Sequence, residues 1–467
     1  MKYKVGFQDL NEEVSIENLE VLGEIPEWLS GTLLRMGPAK FETRNQKLNH
    51  WFDGFAMLHN FTFQNGKVSY KNKFLKSDTY ELAQKNGKIN YREFATDPCR
   101  SIFKKFFTLF SGDLTDNNNV NITRIFDEYV ALTETTLPIS FDPKLLETKN
   151  HFKFDDDLKG QITTAHPHFD FQTKEGFNYL INLSYKNHYL IYKFTYNSKE
   201  RKLIAKIPVQ NPSYMHSFAL TKNYVILVEW PLVVNPFDLA FSNDPFIKNY
   251  KWEAEKGLRF ILANRTNGEI NIKTSLEICF AFHHINAFER ENKIIIDVAT
   301  YPNSSIIDEL YLEKALSDNR ILPKPSFRRF TIDLNSDLIT SEKIVEEPIE
   351  LPKINYSGNN TKPYRFAYGV SFNKEKDFLN QLVKVDIENR KSITWYEKGM
   401  YPGEPVFVSS LNATREDEGV ILSVILDSHT NKSFLIVLNA EDFKEIGRAF
   451  LPHHIPFGFH GNFHRKL

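Results

Sequence analysis

The chain has 467 residues and a formal net charge of −1, with 58 Lys and Arg against 59 Asp and Glu, which excludes a nucleic-acid-binding surface built on excess basic charge. Only two cysteines occur, Cys99 and Cys279, so a disulfide scaffold is excluded and a reducing, cytoplasmic compartment is expected. No run of about 18 consecutive apolar residues appears, which excludes a membrane-spanning helix.

Along the chain, the opening MKYKVGFQDLNEEVS carries no apolar run of the kind that forms a signal peptide. The segment SIFKKFFTLFSG (101–112) sets Ile102, Phe103, Phe106, Phe107 and Phe110 at helical spacing with Lys104 and Lys105 opposite. That pattern predicts an amphipathic helix, able either to lie in a membrane interface or to pack on the protein's own core. From about residue 60 onward, short β-favouring runs recur: GFNYLINLSY (176–185), HYLIYKFTY (188–196), YVILVEW (224–230), KIIIDVAT (293–300), GVILSVIL (419–426) and SFLIVLNA (433–440). Val, Ile, Tyr and Phe dominate them, with turn residues between. Several are continuously apolar, which predicts strands buried on both faces. WPLVVNPFDLAF (230–241) is a second apolar stretch suited to a lipid surface, and SSIIDELYLEKALSD (304–318) is the clearest candidate helix. No Pro/Ser-rich linker divides the chain, so one all-β domain over 1–467 is expected. Many short strands suit a β-propeller, with a large two-sheet sandwich as the alternative, and no Trp-Asp repeat reveals a blade count. Aromatic residues make up 14% of the chain, which fits β packing as well as a cavity for a long apolar ligand.

Four of the 14 histidines lie in apolar, strand-like contexts far apart: His166 in ITTAHPHFD, His216 in PSYMHSFAL, His283 in CFAFHHINAFE and His460 in PFGFHGNF. Their spacing forms no local metal motif, so only a closed fold could bring them together. Four neutral imidazoles at one point would suit a divalent transition metal such as iron(II), with positions left open for oxygen. For any one of them taken alone, a buried, hydrogen-bonded histidine is the better reading. His50, His151, His188, His429 and His464 have polar or loop-like neighbours and read as surface residues.

The same four segments resemble the metal-binding segments of the carotenoid cleavage oxygenase family. So do GTLLRMGPAKFE (31–42), HWFDGFAMLHNF (50–61), TDPCRSIFKKFF, ALTETTLP, FRRFTIDL, ELPKINY, PYRFAYG and YPGEPVFV, in order and over nearly the whole chain. Within the family the likeness is greatest to animal β-carotene oxygenases and to the retinal pigment epithelium retinoid isomerase. The resemblance implies a seven-bladed β-propeller whose axis holds iron(II) on His166, His216, His283 and His460, leaving His168 and His284 as neighbours only. It further implies that Glu134, Glu350 and Glu404 accept hydrogen bonds from the ligand imidazoles, fixing tautomer and orientation. Val120, in NNNVNIT, corresponds to the residue that crowds a position beside the oxygen site.

What the resemblance implies for function is oxygen insertion across a conjugated carbon–carbon double bond of a carotenoid or apocarotenoid, at or near the central one, giving retinal-like aldehydes. Loops and short helices would cap one face over an apolar tunnel. Ile102, Phe103, Phe106, Phe107 and Phe110 would surround its entrance and meet a membrane peripherally; no protein partner is implied. A retinyl-ester isomerohydrolase or a stilbene-cleaving enzyme of the same fold shares these ligands. A non-catalytic carrier of apolar ligands with a structural metal is the reading from a different class.

Overall fold

The computed structural model describes residues 2–97, 114–242, 244–318, 320–373 and 377–467. The strand order gives seven sheets and one two-stranded hairpin, and the sheets are the blades of a seven-bladed β-propeller. Val-, Ile- and Phe-rich runs make the strands, because β-branched and aromatic side chains pack well on a pleated surface. All six runs read from the sequence are strands, each within three residues of the expected bounds. Their continuous apolar character has the expected cause. Lys293–Tyr301, for example, buries every residue after the first, since each blade is covered on both faces by its neighbours.

The ring closes twice. Strand Gly461–His464, at the end of the chain, pairs with Gly31–Lys40 to complete blade one, while Val21–Gly23 pairs with Glu445–Phe450 to complete blade seven. Blades two to six are each built from one contiguous stretch, opening at Asn121–Ile125, Ile162–Thr163, Ala219–Leu220, Phe280–Arg290 and Glu350–Lys353. Among them Ala219–Leu220 meets Phe280–Arg290, which meets Glu350–Lys353, while Gly461–His464 meets both Asn121–Ile125 and the strand Val406–Ser409 of blade seven.

The helix expected over 304–318 is instead two short pieces, Ser305–Glu309 and Leu312–Ala315. Hydrogen bonds from elsewhere in the chain break it: the Leu310 carbonyl accepts from the Trp51 amide at 3.2 Å, and the Leu312 amide donates to the Asn49 carbonyl at 2.8 Å. Tyr311 is thereby held extended between them. A helix absent from the sequence reading spans Asp78–Asn86, with Ser77 accepting from the Tyr80 amide and Gly87 closing it in the left-handed conformation (φ +70°).

Among the described residues no helix is long and apolar enough to cross a membrane. The expected entrance helix with Ile102, Phe103, Phe106, Phe107 and Phe110, and Cys99 beside it, lie outside the described residues. The second apolar stretch forms strand Leu232–Val234 and helix Pro236–Phe241, which leaves Phe237 and Phe241 63% and 55% exposed.

Candidate metal centre

Each blade brings one polar side chain towards the axis. His460 immediately precedes the closing strand of blade one, Glu134 follows Glu128–Leu132 in blade two, and His166 lies between Ile162–Thr163 and His168–Asp170 in blade three. His216 precedes the first strand of blade four, and His283 sits at a bulge in the first strand of blade five. Glu350 opens blade six, and Glu404 lies between the two short inner strands of blade seven. The four histidines meet, with one ring nitrogen of each within 4.8 Å of the others.

Three of the imidazoles are oriented by carboxylates. His216 Nδ1 is 2.6 Å from Glu134 Oε1, His283 Nδ1 is 2.6 Å from Glu350 Oε2, and His460 Nδ1 is 2.6 Å from Glu404 Oε1. A carboxylate can only accept, so each of these Nδ1 atoms carries the proton and each Nε2 presents a lone pair. His283 Nε2 and His460 Nε2 then face each other at 3.3 Å with no proton between them, and His166 Nε2 lies 3.0 Å from His216 Nε2. Converging lone pairs in a buried site repel unless a cation sits among them, so the donor set fits a divalent metal with nitrogen preference. His166 differs, since no carboxylate holds its ring; its amide donates to Thr164 Oγ1, whose hydroxyl donates to the His216 carbonyl. Burial first, and then the neighbouring imidazoles, hold His166 and His460 well below the ordinary histidine range, in the neutral form a metal requires.

The carboxylates are themselves anchored. Glu404 is fully buried; its Oε2 accepts from the Gly461 amide at 2.9 Å, and Lys353 Nζ lies 3.2 Å from Oε1. Arg35, also buried, donates to the Glu404 and Phe459 carbonyls at 3.0 and 3.1 Å. Burial raises the Glu404 carboxyl, while Lys353 and Arg35 pull it back towards the ionised form. Glu350 Oε2 accepts from the Leu351 amide at 2.7 Å, and the Tyr214 hydroxyl donates to Glu134 at 2.9 Å. The sequence reading missed Arg35, Lys353 and Tyr214. Lys353, in the same ELPK stretch as Glu350, was the available signal: a cation beside a buried acid.

His168 bonds to the Tyr356 hydroxyl and the Phe218 carbonyl, both at 2.9 Å, and His284 to Ser217 at 2.8 Å, so both are spent on structural contacts. Val120 lines the cavity beside the cluster, and its carbonyl accepts from the His460 amide at 3.2 Å. His50 corrects the surface reading. It is fully buried, capping the short turn at Trp51–Asp53 through the Phe52 amide and bonding the Ile307 carbonyl at 3.0 Å. Its polar neighbour Asp53 is buried with it although Asn49, one residue before, is exposed, which a local reading could not show. His151 is half-buried against Asp116 at 3.0 Å, His188 and His464 are half-buried, and only His429 of that group is exposed.

A cavity of about 240 Å³ opens onto the histidines and is lined mainly by apolar side chains. Phe52, Phe282 and Phe459 wall it near the cluster, with ring contacts of 5.8 Å (Phe52–Phe282), 5.2 Å (Phe52–Phe459) and 5.6 Å (Phe282–His216). Ile306 and Leu310 from the broken helix, and Pro236 and Leu239, line it from the loop and short-helix side. The arrangement can hold a metal beside a mainly apolar cavity.

The chain matches the family model described as retinal pigment epithelial membrane protein over residues 7–465. It is 35% identical to a mitochondrial carotenoid-cleaving dioxygenase of Macaca fascicularis, covering 95% of this chain and 91% of that protein. It is 32% identical to the beta,beta-carotene 15,15'-dioxygenase of Gallus gallus, covering 95% and 94% respectively. Among solved structures, cobalt-substituted Synechocystis apocarotenoid oxygenase superposes with a TM-score of 0.87 at 28% identity, covering 99% of this chain and 98% of that one.

Proposed function

The chain belongs to the family of the retinal pigment epithelial membrane protein and the carotenoid-cleaving dioxygenases, and from that premise we propose that it is an iron(II)-dependent dioxygenase cleaving a conjugated double bond of a carotenoid or apocarotenoid. The observation that carries this reading is the set of three Nδ1–carboxylate pairs, which turn imidazole lone pairs towards one buried point at the end of an apolar cavity. His166, His216, His283 and His460 are the proposed ligands, and Glu134, Glu350 and Glu404 fix their rings. Replacement of the metal by cobalt in the Synechocystis relative supports a metal at the same axis.

Iron(II) held there supplies the activation of oxygen; cleavage then places one oxygen atom on each of the two former alkene carbons. The protein's own residues do the rest. His166, His216, His283 and His460 would hold the ion through imidazole nitrogens, and the Val120 side chain lines the cavity beside them. Phe52, Phe282 and Phe459 hold the polyene flat against the site and keep water out. No proton transfer by a side chain is needed. We assign the whole chain to one functional unit in the cytoplasm, with the exposed Phe237 and Phe241 meeting the lipid surface that stores a water-insoluble substrate.

Protein loaded anaerobically with iron(II), then given a β-apocarotenal in detergent and labelled oxygen gas, is expected to lose polyene absorbance and yield two labelled carbonyl products. His283→Ala is expected to abolish both metal retention and cleavage. An unchanged polyene with iron fully bound overturns the assignment.

A further inference from the structure

Four consecutive polar residues, Asp116 to Asn119, are each 2% exposed or less, and two of them, Asn117 and Asn119, line the apolar cavity. A buried side-chain amide is costly unless its donors are met. The donors of these two converge on one place. Asn119 Nδ2 donates to the Phe52 and Gly54 carbonyls at 2.8 and 2.7 Å. Asn117 Nδ2 donates to the Asp53 and Gly54 carbonyls, both at 3.1 Å, while its Oδ1 accepts from the Ala56 amide at 3.0 Å. A helix of one turn leaves its last carbonyls without partners of its own. At Trp51–Asp53 the two amides meet the three carbonyls that follow Trp51. The Asn117 side chain also bonds the Glu93 carboxyl, so Asn119 is the one whose donors serve this turn alone.

The turn carries Phe52, whose ring lies 5.8 Å from Phe282 and 5.2 Å from Phe459 in the wall beside the histidines. At the other end of the segment, the Val120 amide donates to the Leu132 carbonyl of blade two at 3.1 Å, and the Val120 carbonyl accepts from the His460 amide at 3.2 Å. Asn118 ties the same segment to the Leu137 carbonyl at 2.9 Å. One short strut thus runs from the aromatic wall to the backbone of His460 and sets the spacing between them.

We propose that Asn119 is a positioning residue that decides which double bond of a polyene is cut. By holding the backbone of Phe52 it holds the ring against which the polyene lies, and with the ring the register of the polyene against the four histidines. The inference rests on the polyene-cleavage reading for its ligand, but the strut is independent of the metal.

Asn119→Leu keeps the branched shape of the side chain and removes both donors. With iron-loaded protein and a β-apocarotenal it is expected to lower kcat about 10- to 100-fold at a KM changed by no more than about twofold, the mark of a bound but misplaced substrate. Cleavage is expected to spread from one double bond to its neighbours. Asn72→Leu is the control: Asn72 is equally buried, and its amide donates to the Glu12 carbonyl at 2.8 Å on strand Lys67–Phe74, outside the cavity wall. It is expected to cost stability and leave the cleavage position alone. Because Asn119 acts through the Phe52 ring, its effect on cleavage position is expected to vanish in a Phe52→Leu background. A single, unchanged cleavage position in Asn119→Leu, an equal spread in Asn72→Leu, or effects that simply add in the double variant overturn the proposal. Asn119→Ser, smaller and still polar, carries the same expectations should Asn119→Leu fail to fold. A second measurement needs no turnover: the visible absorption maximum and induced circular dichroism of β-apocarotenal bound to metal-free protein are expected to differ between wild type and the Asn119 variant. Identical spectra overturn the proposal even if cleavage proceeds. Altered spectra without any cleavage by iron-loaded wild type would instead sink the dioxygenase reading and leave the positioning role standing.

Discussion

At the scale of single residues, burial decides what the titratable groups do. Glu404 stays useful as an acceptor only because Lys353, Arg35 and the Gly461 amide offset its desolvation. Glu404→Gln is therefore expected to weaken iron(II) binding by about 10- to 100-fold, because an amide no longer fixes His460 with the same tautomer and strength; equilibrium metal titration of the variant checks this. The buried histidines outside the cluster make a prediction about acid. His50, His59 and His284 are each pushed down to about 3, and His168 to about 4, with burial the main cause. Their folded values lie below the unfolded value near 6.5, so below that pH the unfolded chain binds more protons and stability falls. Between pH 7 and 5 each contributes a loss of about 2 kcal/mol. Asp53, raised to about 6, and Glu93 act in the opposite direction and recover part of it. The thermal midpoint of the metal-free protein is expected to drop over that range, and calorimetry at several pH values measures it. His50 shows why residue-level reading from sequence fails in places: its partner, the Ile307 carbonyl, lies more than half the chain away.

At the scale of elements, the segment that carries His460 depends on a close approach of two backbones. It runs along strand Gly31–Lys40, with the Met36 amide donating to the His460 carbonyl at 3.0 Å and the Phe459 amide donating to the Met36 carbonyl at 3.2 Å. A Cβ on Gly37 would come within 2.6 Å of Gly458 Cα. Gly37→Ala is expected to push the two apart, costing about 1–3 kcal/mol and loosening His460; a lowered melting temperature together with reduced metal content would show it, and unchanged values of both would not fit. Strand runs were legible in the sequence because their apolar character is continuous and local. The Asp78–Asn86 helix went unread because only its caps, Ser77 and Gly87, signal it, without a strong apolar stripe. The helix over 304–318 was misread for the opposite reason: its local pattern is helical, but hydrogen bonds to Asn49 and Trp51 override it.

At the scale of the whole molecule, the blades share no repeated sequence, so their number follows from pairing between distant strands and not from pattern; the resemblance, not periodicity, supplied it. The same holds for the cluster of four histidines, whose members come from four blades and meet only when the ring closes. Closure uses both ends of the chain. Removing residues 2–24 would strip Val21–Gly23 from strand Glu445–Phe450 and leave an unpaired edge. The truncated protein is expected to melt lower and to associate in light scattering, and a monomeric product of unchanged stability would contradict that account. One consequence concerns synthesis in the cell. Because His460 and the strand that latches blade one both lie in the last eight residues, 460–467, a chain still being translated, or one ending early, has neither the latch nor the fourth proposed ligand. On the proposed ligand set, iron capture then waits on residue 460, and copies terminated before it would lack a complete four-histidine site.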